Sequence, residues 1–333
     1  DPRSLILRVL VAARSSKVEG MTAEDIVEFL EGSLGAFQQQ QLAAGWQYDR
    51  GRLLSALGQL KSYGLVEHSD GSGHHLTELG RVAGESGLLV ESMIRIVAAL
   101  RLAAPDRINT ATVVTAAQLT VELDGIHFPI NKKSTQKEPQ TWLFELQRQN
   151  AAQPVLNMLG RAVAEQHDAA ARAKKAVACL LWMSELPLLE VERILTQFGG
   201  AFGGAAGAIQ AVTSRTCDVL PTVARVAEIL HPGLELGEKL RQLMVRLEAG
   251  VPSALVEVAA HTGTLLGRAD YLRLLKAEVT TLAAVAAATD EKLLACVGGS
   301  ADRLSTLHRA VDDNRRTQAA KVPTRPILPP PED

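Results

Sequence analysis

Aromatic residues are scarce in this sequence, at 4% of 333 residues, while hydrophobic residues as a whole reach 47%. A sandwich or barrel built from strands leans on aromatic and β-branched side chains. An apolar content rich in Ala and Leu points instead to packed helices. Cysteine is scarcer still: Cys179, Cys217 and Cys296 lie far apart in apolar helical contexts. That spacing argues against a disulfide framework or a metal cluster and reads as buried, reduced thiols of a cytoplasmic protein. No apolar run reaches the roughly 20 residues that a bilayer demands, and the first residues do not read as a signal peptide, so no membrane partner is expected. Net charge is only −2, which excludes a uniformly basic nucleic-acid binder. Any phosphate contact has to come from local patches.

Catalytic motifs are missing too. There is no Gly-x-x-x-x-Gly-Lys-Ser/Thr loop and no Asp-Glu-x-His/Asp motif. The glycine-rich run FGGAFGGAAG (198–207) follows a helix rather than a strand and lacks the Gly-x-Gly-x-x-Gly spacing. It reads as a close-packed helix junction. No Ser/His/Asp, carboxylate-pair or metal constellation stands out, so no turnover is expected of this chain alone. The sequence starts at Asp1-Pro2 rather than Met, which leads us to expect a piece of a longer protein.

What is present begins with an apolar helix, SLILRVLVAAR (4–14), and a second helix capped by Thr22 with Asp25 three residues on. Asp49 then caps a helix whose Leu53, Leu54, Leu57 and Leu60 are expected to face inward, with Gly64 ending it. Leu65–His68 and His75–Thr77 bracket the turn Ser69-Asp-Gly-Ser-Gly73, a short hairpin. Helix, hairpin and Leu-Thr-Glu-Leu-Gly is the pattern of a winged helix. Its second helix offers Arg50, Arg52, Gln59 and Lys61 to a DNA groove; a merely solvated face is the alternative. His74-His75 has no third ligand nearby and stays with the hairpin.

A helix is expected over 110–123, then a long loop over 124–142 with Lys132, Lys133 and Lys137 open to phosphates or simply solvated. One or two helices follow over 142–172. The stretch 173–267 organises the rest. Within 208–230, Val212, Val219, Leu220, Val223, Val226, Ala227 and Leu230 form one apolar stripe. Ala211, Arg215, Asp218, Thr222 and Arg225 recur on the other side. Pro221 between the arginines should kink or end that helix. The tail KVPTRPILPPPED reads as extended or disordered.

The order of these features resembles the C-terminal accessory half of superfamily-two Ski-like DNA helicases over most of residues 4–312. AKKAVACLLWMSELP (173–187) is similar to a family helix that ends in a Trp-containing acidic turn, and RLEAGVP (246–252) to the family's Arg-x-x-x-Gly-Val turn. The 124–142 loop looks more like helicases of bacterial anti-phage defence, so the pathway is open between defence and DNA repair. The resemblance implies a mainly α chain: a winged helix over 1–103, a ratchet-like helical domain over 104–245, a helix-hairpin-helix domain over 246–316, and a proline-rich tail over 317–333. It implies that motor domains carrying ATP and magnesium precede Asp1, with no cofactor in this segment. The implied partners are single-stranded or branched DNA, those motor domains, and a nuclease or other protein.

In the ratchet helix the family places an arginine and, seven residues on, a base-stacking aromatic. Those positions fall on Ala211 and Asp218, so that role is not carried over. Arg215, Thr222 and Arg225, with Gln210 and Ser214 beside them, remain as the candidate phosphate track; the alternative for Arg215 is an ion pair inside the bundle. The family hairpin would place Thr262, Thr264 and Arg268 at the DNA backbone. Here, however, three residues rather than one separate Gly263 from Gly267, and Glu278 stands where glycine is common. The competing function is a protein-interaction scaffold that docks a nuclease or another partner; a transcription regulator is the third.

Overall fold

A computed structural model describes residues 1–18, 20–70, 73–128, 130, 137–161, 166–198 and 205–321. Among the described residues the chain is mainly helical, with nineteen α-helices and one two-stranded sheet. It divides into two compact units, Asp1–Ala178 with Leu195–Leu240, and Cys179–Ile194 with Arg241–Asp333.

The first unit opens with α1 (Pro2–Ser15), α2 (Ala23–Glu31), α3 (Leu34–Leu42) and α4 (Arg50–Ser62). Thr22 starts α2 with a capping box: its Oγ1 accepts from Asp25 N at 3.1 Å, and Asp25 Oδ2 accepts from Thr22 N at 2.8 Å. Asp49 caps α4 by accepting from Arg52 N at 3.1 Å. Leu53, Leu57 and Leu60 are buried as expected, but Leu54 is 53% exposed. Positions 53, 57 and 60 share one helix face, and 54 lies about 100° away from it.

Gly64, at φ +72°, closes α4 and leads into β1 (Val66–Ser69) and β2 (Gly73–Leu76), paired antiparallel from Val66↔Leu76 to Ser69↔Gly73. One further bridge joins Met21 to His74, with Met21 N donating to His74 O at 3.0 Å and His74 N to Met21 O at 2.7 Å. Thr77 caps α5 (Glu78–Glu85) and donates its hydroxyl to Gly64 O at 2.7 Å, which ties the hairpin to the end of α4.

α6 (Val90–Arg101) follows. The helix expected over 110–123 is two, α7 (Thr110–Ala117) and α8 (Val121–Asp124). Gln118 and Thr120 spend side-chain bonds at the break: Gln118 Nε2 donates to Thr216 Oγ1 at 2.9 Å, and Thr120 Oγ1 to Ala117 O at 2.8 Å. α9 (Lys137–Arg148) begins inside the expected loop, and α10 (Gln153–Arg161) and α11 (Gln166–Trp182) come next. The early start of α9 has a distant cause. Glu138 is fully buried; its Oε1 accepts from Trp142 Nε1 at 3.2 Å and pairs with Lys174 Nζ at 2.8 Å.

Three closely spaced cationic residues of α11 thus point inward rather than to solvent. Arg172 Nε donates to Asp124 at 2.8 Å, Lys174 meets Glu138, and Lys175 Nζ donates to Leu123 O at 2.6 Å. Burial pushes the Lys174 amine below its ordinary value, with Glu138 opposing. Buried cations persist only when paired in this way.

α12 (Leu188–Leu195) leads to α13 (Ala205–Leu230), the longest helix among those described, which packs against α5, α6, α7 and α8. Val212, Val219, Leu220, Val223, Val226 and Ala227 are buried, and Leu230 is half-buried. Pro221 does not end α13; the helix tolerates the one N–H it removes.

α14 (Gly237–Ala249), α15 (Val256–Thr262), α16 (Arg268–Lys276), α17 (Leu282–Ala287), α18 (Asp290–Cys296) and α19 (Ala301–Lys321) complete the chain. The second unit has its own core, with Val251, Leu255, Val258, Tyr271, Leu274, Leu293, Val297 and Leu307 at or near zero exposure. The two short motifs quoted above, far apart in sequence, meet here. Trp182 Nε1 donates to Leu247 O at 2.9 Å. Gly250, at φ +67°, lies so close to the Trp182 ring that a Cβ would sit 2.4 Å from it.

Candidate nucleic-acid interface

The described candidate residues of the first unit lie on α13 and α4. On α13, Gln210, Ala211, Ser214, Arg215, Asp218 and Arg225 are exposed and Thr222 is half-buried, as the periodicity expects. Arg215 Nη1 pairs with Asp218 at 3.0 Å along the same face, both side chains about half exposed, so it is not an ion pair inside the bundle. Arg225 reaches Glu78 of α5 at 3.5 Å and Glu228 at 3.7 Å. Ten residues of helix set the two arginines about 15 Å apart. On α4, Arg50, Arg52, Gln59 and Lys61 are exposed. Arg52 pairs with Asp49 at 3.4 Å and Arg50 with Glu31 at 3.8 Å. Pairs this exposed hold their partners by only about 0.2–1 kcal/mol, so a phosphate can replace the carboxylate.

The turn in the second unit differs from expectation. Thr262 is 1% exposed; its hydroxyl sits 2.8 Å from Val258 O and 2.7 Å from Tyr271 Oη. Its side chain is therefore a core contact. Tyr271 is completed by Gly263 O at 2.5 Å, and burial pushes its hydroxyl up to about 12. The Arg268 side chain is likewise engaged within the second unit. Its guanidinium lies 5.0 Å from the Trp182 ring centroid and donates to Trp182 O at 3.2 Å and Ser184 O at 2.9 Å. Burial pushes it down to about 10, which leaves it charged at neutral pH. Thr264 is exposed. Glu278 adopts the left-handed conformation, φ +59°.

A second glycine turn went unread in the sequence, although its Gly-Gly pair is a turn signal. Gly298 (φ +64°) and Gly299 (φ +77°) join α18 to α19, and Ser300 Oγ accepts from Arg303 N at 3.4 Å. Lys132 and Lys133 lie outside the described residues, as does the side chain of Lys137. Among the described residues no group of three or more His, Cys, Asp or Glu is placed to hold a metal ion, and no helix is long and apolar enough to cross a membrane. The three cysteines are buried thiols, not joined in disulfides.

The hairpin carries a titratable cluster. The His68 and His74 rings are 4.8 Å apart, and His75 Nε2 is 3.1 Å from Glu67. Burial holds the His74 imidazole below its ordinary 6.5, helped by His68, Lys61 and His75 and opposed by Glu24. A lowered folded-state value means that the unfolded chain binds the proton more readily, so stability is whole above 6.5 and falls as pH drops below it. The melting temperature is expected to decline on acidification through that range, and His74→Gln to flatten the decline. A variant that tracks the parent throughout assigns the decline elsewhere.

Comparison with protein-family models finds no match to this chain, and comparison with curated proteins finds none either.

Proposed function

We propose that this chain is a nucleic-acid-binding module of the kind found C-terminal to the motor of Ski-like DNA helicases, guiding single-stranded or branched DNA while motor domains supply ATP hydrolysis. The observation that carries this reading is the Met21–His74 bridge. It adds a strand position between α1 and α2 to the β1–β2 hairpin. Helix, strand, helices and hairpin in this order supports a winged-helix reading, and Arg52, Gln59 and Lys61 of α4 are each solvent-exposed. In the same reading α13 is the ratchet-like helix, and α15–α16 with α18–α19 form the helix-hairpin-helix domain.

The test is binding of single-stranded DNA across a salt series, where a phosphate binder weakens steeply as salt rises. Arg215→Ala is expected to weaken binding alike for all sequences and to lower the salt slope by about one, with thermal stability unchanged. A variant that melts several degrees lower and binds DNA normally removes α13 from the interface.

A second reading, a scaffold that docks a protein partner, is favoured by one feature of the second unit. A cavity of about 650 Å³ is lined by Trp182, Pro187, Leu188, Leu272 and Leu275 together with Glu185, Arg268, Arg273 and Lys276. No DNA affinity at low salt would favour this reading over the first.

A further inference from the structure

The cleft between α9 and α10 differs from the α13 and α4 faces described above. Its volume is about 660 Å³, within the range of small-molecule sites, about 300–1,000 Å³. Gln140, Phe144, Gln147, Gln153, Asn157 and Phe198 are among its nine lining residues, and none of the nine carries an ionisable side chain. A cleft without charge offers no counter-charge to a phosphate, a carboxylate or a metal ion. It suits a neutral ligand that is flat and carries both hydrogen-bond donors and acceptors.

We infer that this cleft is a stacking site for an unpaired nucleobase of a bound single strand. The inference rests on the nucleic-acid reading and adds to it a place where bases, rather than phosphates, are held. Phe144 supplies the platform. It is 64% exposed on α9, a costly position for a phenyl ring unless something flat covers it. The amides supply the edge contacts. Gln153 Nε2 donates to Asn157 Oδ1 at 2.9 Å, which fixes the pair and leaves the Gln153 carbonyl oxygen and the Asn157 amide N–H groups to a ligand. An acceptor beside a donor is the pairing that amide side chains offer to a base edge. Arg148 and Arg161 are exposed at the C-terminal ends of α9 and α10, and Arg148 pairs with Glu145 at 3.5 Å.

The experiment compares two labelled strands of equal length by fluorescence anisotropy with the full chain, one oligothymidine and one with every base removed. Phe144→Ala is expected to weaken oligothymidine binding by about fivefold to a hundredfold, the range for one aromatic–base stack. It leaves the abasic strand unaffected, and Phe144→Trp restores binding. An exposed side chain can be removed without loss of fold, which a thermal melt checks. Equal loss on both strands, or no loss on either, overturns the stacking site while the nucleic-acid reading stands. If the parent chain binds neither strand, both fall.

Discussion

Asp270→Ala is expected to loosen the second unit by about 2–4 kcal/mol, a large fraction of the stability of a domain this size. Asp270 is 1% exposed and serves three partners. It caps α16 by accepting from Gly267 N at 2.8 Å, it pairs with Arg273, and it pairs with Arg303 of α19 at 3.1 Å. The cap alone is worth about 1 kcal/mol. Charged hydrogen bonds contribute about 1.5–3 kcal/mol each when buried, but Arg273 and Arg303 are 44% and 45% exposed. They regain water once the carboxylate is gone, so about half of that value is lost. The readout is amide hydrogen exchange by peptide. Peptides from α15, α16 and α19 should exchange faster while those of α1 and α6 keep their rates. Asp270→Asn, which keeps an acceptor for the cap but not the charge, should fall between. Unchanged exchange across α16 and α19 would show that the two arginines hold these helices without a central carboxylate.

Much of the local structure was legible because its causes lie within a few residues. The Thr22–Asp25 box, the Asp49 cap, the turn at Gly64 and the two faces of α13 are short-range effects of capping and periodicity, and each stands where the residues put it. What could not be read depends on partners far along the chain. Arg268 follows a glycine turn and looks like a phosphate donor, yet it bonds carbonyls 84 and 86 residues away. Thr262 sits in the same turn and is claimed by Tyr271. The basic run of α11 resembles a surface patch until Asp124, Glu138 and the Leu123 carbonyl are brought to it. α9 starts early because Glu138 meets Lys174, 36 residues on. Of the candidate site, the α13 face followed from period alone. The α9–α10 cleft did not, since its two helices meet only through tertiary packing.

Gly80→Ala and Gly58→Ala should move stability in opposite directions, although both replace a helical glycine by the best helix former. Gly80 lies in α5, where a Cβ would stand 1.7 Å from Leu65 O and 2.8 Å from Leu65 C. Those are backbone atoms, and they cannot rotate aside as a side chain would. Leu65 O already accepts from Thr77 N at 3.2 Å, and Thr77 also holds Gly64 O. Making room for one methyl therefore means separating α5 from the end of α4 and breaking the contact that seats the hairpin. Overpacking of this kind costs about 1–3 kcal/mol, occasionally more, and the rigid neighbour puts Gly80→Ala at about 3 kcal/mol, a fall of roughly 6–12 °C in melting temperature. Gly58 lies on the exposed face of α4 with nothing within 4 Å of its missing Cβ. There the substitution only removes backbone freedom from the unfolded chain and should add about 0.5–1 kcal/mol. Thermal melts of the two single variants beside the parent decide the matter. If Gly80→Ala melts within a degree of the parent, α5 does not sit against the Leu65 carbonyl, and the hairpin is seated by other contacts than the ones described.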